Sequence, residues 1–324
     1  MNTIKYFIAT AAAMLAAVAV FAQPNIKLRP DETVLLYSDS FEGNLDHVYG
    51  KTIRYAGYQM AEANGLSGAE EISKSGKVGN ISDLARCDLY FPKKPNGQMV
   101  VICPGGGYHN VSSYNEGVYA AAWFLERNIT VCVVKYRMPN GHWKVPHADV
   151  ENAFRYCRAH AEEWGVKQIG VMGFSAGGHL AATASTMWTE DQTRPDFSIL
   201  IYPVITMEIG ITHKGTRVRL IGEKAVWNGQ LSDTYSLENQ VTRFTPATFI
   251  VHCSDDTVVP VENSLRYYNK LIDNGVQAQM HIWPQGDHGW GFNEDQYRDK
   301  GVDRLAYARK NYYALLESWL EEIR

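Results

Sequence analysis

Two hydrophobic patterns alternate along most of this chain, and their alternation predicts its architecture. From about residue 98, short continuous apolar runs are followed by stretches whose apolar residues recur every three or four positions. The runs are "MVVICP" (99–104), "ITVCVVKY" (129–136), "QIGVMGF" (168–174), "FSILIYP" (197–203), "TFIVHC" (248–253) and "AQMHIW" (278–283). Most lack the apolar–polar alternation of a half-exposed strand, and so read as strands covered on both faces. Between them, "EGVYAAAWFLER" (116–127) has helical spacing. Over 148–164, Val150, Phe154, Cys157, Ala161 and Trp164 mark a single apolar helix face. Further helices are expected at about 261–274 and 303–323. Strands and helices in turn predict an α/β fold, a mostly parallel central sheet with helices on both faces.

Two regions break the rhythm. Residues 23 to about 97 are polar and Gly-rich, with weaker strand signals at "TVLLYS" and "RCDLYFP", which are expected to form antiparallel leading strands. Residues 205–245, between two strands, are too many for a simple crossover and predict a small cap insertion over one end of the sheet. No internal repeat is visible, so 23–324 reads as one domain with an N-terminal extension up to 97. Ahead of it, Lys5 and the run "YFIATAAAMLAAVAVFA" lead to a small-x-small pattern, Val20-Phe21-Ala22, before Gln23. Residues 1–22 therefore read as a signal peptide cleaved near Ala22-Gln23. The run is short for a membrane span. The expectation is an exported protein, periplasmic or secreted, with no stable membrane insertion after processing.

Composition narrows the partners. With 324 residues and 45% apolar content the chain can bury a large core. A net charge of −4 with no basic cluster argues against a nucleic-acid partner. Five cysteines lie mostly inside apolar runs, without a CxxC pair, and read as buried free thiols. No His/Cys spacing suits zinc, and neither a metal nor an organic cofactor is expected.

The candidate chemistry lies in four loops, each following a predicted strand. "GFSAG" places Ser175 between Gly173 and Gly177 at a strand-to-helix turn, which suits an exposed nucleophile. "CPGGGYHN" (103–110) exposes backbone N–H groups that can meet a developing oxyanion. Gly106 or Gly107, with Ala176 after the serine, are the candidate donors. "HCSDDTVVP" offers two acids, Asp255 and Asp256. "WPQGDHGWGF" places His288 in a Gly-flanked loop after the last strand, the one histidine that satisfies the order Ser, Asp, His at the C-terminal edge of the predicted sheet. A serine hydroxyl needs a base to take its proton and an acid to orient that base, so these four loops together describe acyl transfer. His179, one helical turn beyond Ser175, reads as a packing residue. His252 is expected to orient the acid loop, and Asp287 to be a surface carboxylate. Tyr108 beside the glycines and Trp290 beside the base are candidate substrate-binding aromatics, with a face to stack on a sugar ring.

At this point the chain resembles the α/β-hydrolase carbohydrate esterases of the acetylxylan esterase and BD-FAE-like group. The resemblance rests on "VVICPGGGY", "VVKYRMP", "GVMGFSAGGHLAA", "YPVITM", "THKGTR", "QVTRFTPATFIVHCSDDTVVPVENS" and "HGWGF", across roughly residues 80–295. It implies an α/β-hydrolase fold, a nucleophile at Ser175, a base at His288 and oxyanion donors on the Gly run. The acid stands four residues before the proline of "VVP", which implies Asp256. It also implies removal of short acyl groups, acetyl and sometimes feruloyl, from plant polysaccharides such as xylan. The loop before the base departs from the group's "GGHGFG" and reads "GDHGWG", which puts Trp290 beside His288. Other readings are a lipase, a serine peptidase of the prolyl-oligopeptidase type, and a non-catalytic carbohydrate-binding protein. The length leaves little room for the peptidase's propeller, and no triad member is missing.

Overall fold

A computed structural model of the chain describes residues 28–36, 71–73, 76–79, 81, 85–223, 229–292 and 306–324. The expected signal peptide lies outside them. The strands are β1 (Glu32–Leu35), β2 (Glu71–Ile72), β3 (Val78–Gly79), β4 (Arg86–Tyr90), β5 (Gln98–Cys103), β6 (Asn110–Val111), β7 (Thr130–Lys135), β8 (Gln168–Phe174), β9 (Phe197–Ile201), β10 (Ala247–Cys253) and β11 (Ala278–Trp283). Eight of them form one sheet in the order β1-β4-β7-β5-β8-β9-β10-β11. β1, β4 and β7 pair antiparallel, and from β7 onward every pairing is parallel. The leading strands are thus the antiparallel part that the weaker signals predicted.

Continuous apolar strands follow from burial on both faces, because successive side chains point to opposite sides. Along β5, Met99, Val101 and Cys103 enter one apolar cluster and Val100 and Ile102 the other. Helices α2 (Lys144–His160), α3 (Ser175–Thr186) and α6 (Glu262–Asp273) cover the first face through residues such as Phe154, Leu180 and Leu271. Helices α1 (Tyr119–Leu125) and α7 (Ala306–Glu322) cover the second through Phe124, Leu316 and Trp319. The five cysteines are buried and free.

Two expected elements are reshaped. The helix predicted over 116–127 begins as a π-helical turn, Tyr114–Val118, before α1. Its signature bond runs from Val118 N–H to Ser113 O at 2.9 Å, five residues back. The segment 205–245 holds α4 (Lys214–Ile221), α5 (Gly229–Tyr235) and a 3-10 turn, Leu237–Gln240; residues 224–228 lie outside the described set. α4 reaches the carboxyl end of the sheet, where the Arg219 guanidinium donates to Gly107 O at 3.1 Å. A small antiparallel sheet, β2-β3-β6, ties the N-terminal extension to the chain just past the Gly run.

Candidate active site

Parallel strands put all their C-terminal ends on one edge, and the four loops singled out in the sequence follow β5, β8, β10 and β11 at that edge. Ser175 follows β8 and opens α3 with φ +53°, a left-handed value that few non-Gly residues adopt. Such a turn holds only if the helix lies against the strand. A Cβ at Gly173 would overlap Gly177 O and Ala181, and one at Gly177 would overlap the carbonyl oxygens of Cys103 and Pro104. The small residues around Ser175 are therefore a packing requirement of the turn that presents it.

Three side chains from three loops meet here. His288 Nε2 lies 2.9 Å from Ser175 Oγ, and His288 Nδ1 lies 2.7 Å from Asp256 Oδ2. A carboxylate only accepts, so Nδ1 carries the proton and Nε2 is left to accept from the serine hydroxyl. Asp256 receives donors on both oxygens: Oδ1 accepts Val258 N–H at 2.9 Å and Val259 N–H at 2.8 Å, and His252 Nε2 lies 3.2 Å from Oδ2. Burial works to raise this carboxyl. The hydrogen bonds from His252 and His288, the charge of His288 and the Val259 N–H outweigh it and hold the group well below the usual carboxylate range.

His252 holds the acid loop as expected. Its Nε2 donates to Val259 O at 2.9 Å, and its Nδ1 accepts from Ser264 at 2.7 Å. Asp255 points elsewhere: its Oδ1 accepts Asp287 N–H at 2.8 Å. Asp287, at φ +53°, in turn accepts from Thr257 N–H at 3.0 Å and Thr257 Oγ–H at 2.9 Å. Asp287 lies at the surface, as expected, and there also clips the acid loop to the base loop.

Opposite the serine, the Gly run divides its N–H groups. Gly105 N–H is taken by the buried Glu116, at 2.6 Å. Among the described residues no acceptor takes the N–H of Gly106 or Gly107, and Ala176 N–H lies in the unpaired first turn of α3. At φ +132° Gly106 occupies a conformation that L side chains rarely adopt, and a Cβ there would also overlap Asn110. Such donors, together with the positive end of α3, suit a tetrahedral oxyanion.

The two aromatics do not fill the role expected of them. Trp290 is 2% exposed, edge-on to Tyr202 at 4.8 Å and to Tyr312 at 5.5 Å. Tyr108 is also 2% exposed, and its hydroxyl donates to His179 Nδ1 at 3.2 Å. Neither offers a face to a sugar ring, because large apolar rings beside a core are more stable inside it than in water. What flanks Gly107 instead is His213, the N-cap of α4, and Arg219. Sequence reasoning also passed over Glu116 and Tyr202. The signal for Glu116 was a lone acid at the start of an otherwise apolar, Ala-rich helix.

His179 is a packing residue, as expected. It is fully buried, and its Nε2–H donates to Tyr235 O at 2.9 Å. Burial lowers its pKa from 6.5 to about 4. The folded value lies below the unfolded one, so stability is complete above pH 6.5. It falls between there and pH 4, as the unfolded chain takes up a proton the native ring refuses. The expected loss from this ring is on the order of 3 kcal/mol. Urea midpoints at pH 7 and 4.5 should drop less for His179→Asn than for the wild type; equal drops would refute the assignment.

The BD-FAE family model matches residues 87–271, more than half of the chain. An acetylxylan esterase of Xylanibacter ruminicola is 39% identical over 219 residues, 66% of this chain and 45% of that protein. Endo-1,4-beta-xylanase B of Butyrivibrio fibrisolvens is 32% identical over 214 residues, 61% of this chain and 33% of that one. The chain thus spans less than half the length of either relative. Among solved structures, an acetyl ester-xyloside bifunctional hydrolase from Caldicellulosiruptor lactoaceticus superposes with a TM-score of 0.66 at 28% identity, covering 92% of this chain and 98% of that one. The fold is that of the α/β-hydrolases, and the chain belongs to the BD-FAE family.

Proposed function

We propose that this protein is a serine esterase that removes short acyl groups, acetyl above all, from carbohydrate. The observation that carries the proposal is the unbroken hydrogen-bond chain from Ser175 through His288 to Asp256, beside a Gly run in which, among the described residues, no acceptor takes the N–H of Gly106 or Gly107.

In this reading His288 Nε2 takes the Ser175 proton as Oγ attacks the ester carbonyl, and Asp256 stabilises the imidazolium that forms. The N–H groups of Gly106, Gly107 and Ala176 receive the oxyanion. Collapse of the tetrahedral intermediate breaks the bond to the sugar oxygen, which takes the proton from His288, and leaves acyl-Ser175. Water then gives up a proton to His288 and attacks the acyl carbon. The carboxylic acid departs, and the proton returns to Ser175 Oγ.

The carbohydrate part of the reading draws on the relatives, an acetylxylan esterase and an acetyl ester-xyloside hydrolase. The short acyl group draws also on the His213 ring and the Arg219 guanidinium, bulky groups that flank Gly107 of the oxyanion loop. A series of para-nitrophenyl esters from acetyl to decanoyl, run beside acetylated xylan, tests both parts. Acetyl should be cleaved fastest and xylan should release acetate. Preference for decanoyl with no acetate from xylan would replace this reading with a lipase.

A further inference from the structure

Glu116 is a buried acid with no part in the hydrolysis just described. It is 4% exposed, in the π-helical turn before α1. Its Oε2 accepts Gly105 N–H at 2.6 Å, and its Oε1 accepts the Tyr202 hydroxyl at 2.8 Å. The Tyr202 oxygen in turn accepts Gly291 N–H at 2.8 Å. Asn115, next to Glu116, donates through Nδ2 to Gly289 O at 2.9 Å. One wide turn is therefore bonded directly to the oxyanion loop, and by two routes to the loop that carries His288. π-helical turns recur at functional sites, where the extra residue redirects side chains.

Three further observations bear on its role. The Tyr202 ring centroid lies 4.6 Å from that of His288, so the phenol that Glu116 holds also packs against the imidazole. Tyr202 stands at φ +37°, an uncommon conformation for a bulky residue, which persists only where its surroundings over-determine it. Gly105 abuts the serine: a Cβ there would lie 2.9 Å from Ser175 Cβ and 2.8 Å from Glu116 Oε2. Burial pushes the Glu116 carboxyl up, while the Tyr202 hydroxyl, His288 and the Gly105 N–H draw it back. Burying a carboxylate is a costly way to satisfy two donors if that is its only task, since a water could accept from both without desolvating a charge.

We propose that Glu116, acting through Tyr202, is a positioning residue that holds the oxyanion loop and the base loop in one register. The inference rests on the esterase reading above. By occupying Gly105 N–H, Glu116 fixes the peptide that precedes Gly106 and Gly107, and so the direction in which their free N–H groups point. Through Tyr202 it fixes Gly291 and the face of the His288 ring. Donors and base must keep their places to within about 0.5 Å for the transition state to be met. A brace shared by both loops couples those two requirements.

The test compares wild type with Glu116→Gln, Tyr202→Phe and the double variant, using para-nitrophenyl acetate and an arylboronic acid that forms a tetrahedral adduct on the serine. In Glu116→Gln an amide N–H₂ replaces one of two acceptors that both face donors. In Tyr202→Phe the link to Gly291 is lost while the ring remains. Each single variant should lose kcat by roughly 10- to 100-fold with KM within about threefold. Boronate affinity should fall in step with kcat/KM. The double variant should lose little more than the worse single one, because the two residues act as one unit.

Single variants that fold and keep kcat within about twofold of wild type would overturn the brace, as would losses confined to KM. If Glu116→Gln does not fold, Tyr202→Phe decides by the same measures. A wild-type protein that hydrolyses no ester overturns the esterase reading and the brace together. An active wild type with equally active variants overturns the brace alone.

Discussion

Ser175→Ala is expected to abolish ester hydrolysis, with a loss of about 10⁴-fold or more, because nucleophile, base and acid act as a unit. The fold should survive the change. Among the described residues the Ser175 hydroxyl has one hydrogen-bond partner, His288, and the backbone bond that anchors the turn, from Val204 N–H to Ser175 O at 3.0 Å, needs no side chain. Alanine meets the left-handed backbone at this position with much the same strain as serine. The melting temperature should therefore stay near that of wild type while turnover and labelling by a fluorophosphonate disappear. More than about a tenth of the wild-type rate in clean protein would remove Ser175 from the mechanism.

Asp256→Asn should be nearly as severe, with a loss of about 10⁴-fold by analogy with a comparable triad. Among the described residues every polar partner of this carboxylate is a donor: two backbone N–H groups on Oδ1, and His288 and His252 on Oδ2. An asparagine must turn its N–H₂ toward one of these pairs. Turned toward His288, it makes Nδ1 an acceptor and moves the ring proton to Nε2, where it blocks proton transfer from Ser175. Turned toward the backbone, it sets donor against donor and unseats the acid loop.

Asp255→Asn should by contrast stay within a few-fold of wild type, where "few-fold" means under about 1 kcal/mol of barrier. Its Oδ1 only accepts Asp287 N–H, at an exposed position, and the asparagine oxygen can do the same. Parallel measurement of kcat for the two variants checks the pair. A reversed order would move the acid to Asp255.

Much of this molecule could be read from the order of its residues. Strands buried on both faces have no polar period, so "VVICP", "VCVVKY" and "QIGVMGF" announced a parallel sheet, and β8 and β11 occupy the predicted ranges 168–174 and 278–283. Loops after parallel strands must gather at one edge, so chain order alone placed Ser175, an acid and His288 near one another. The choice between neighbouring Asp255 and Asp256 did not follow from the loop sequence itself. In the structure it depends on which carboxylate turns inward, and that is set by the N–H groups of Val258 and Val259 and by His252.

Only the tertiary structure decided what surrounds those residues. Tyr108 and Trp290 stand next to functional positions in the chain, yet neighbours in sequence can face opposite ways, and the core claimed both rings. In the chain Glu116 opens a predicted helix and Tyr202 ends a predicted strand, and neither stands out; Asp287 was expected at the surface, where it lies. They became links between loops because partners far away in the sequence, Gly105, Gly291 and Thr257, were folded against them. Periodicity records how a residue sits on its own element and which side of that element is dry. It carries no information about which distant polar group completes a buried hydrogen bond, because that partner is selected only when the elements pack.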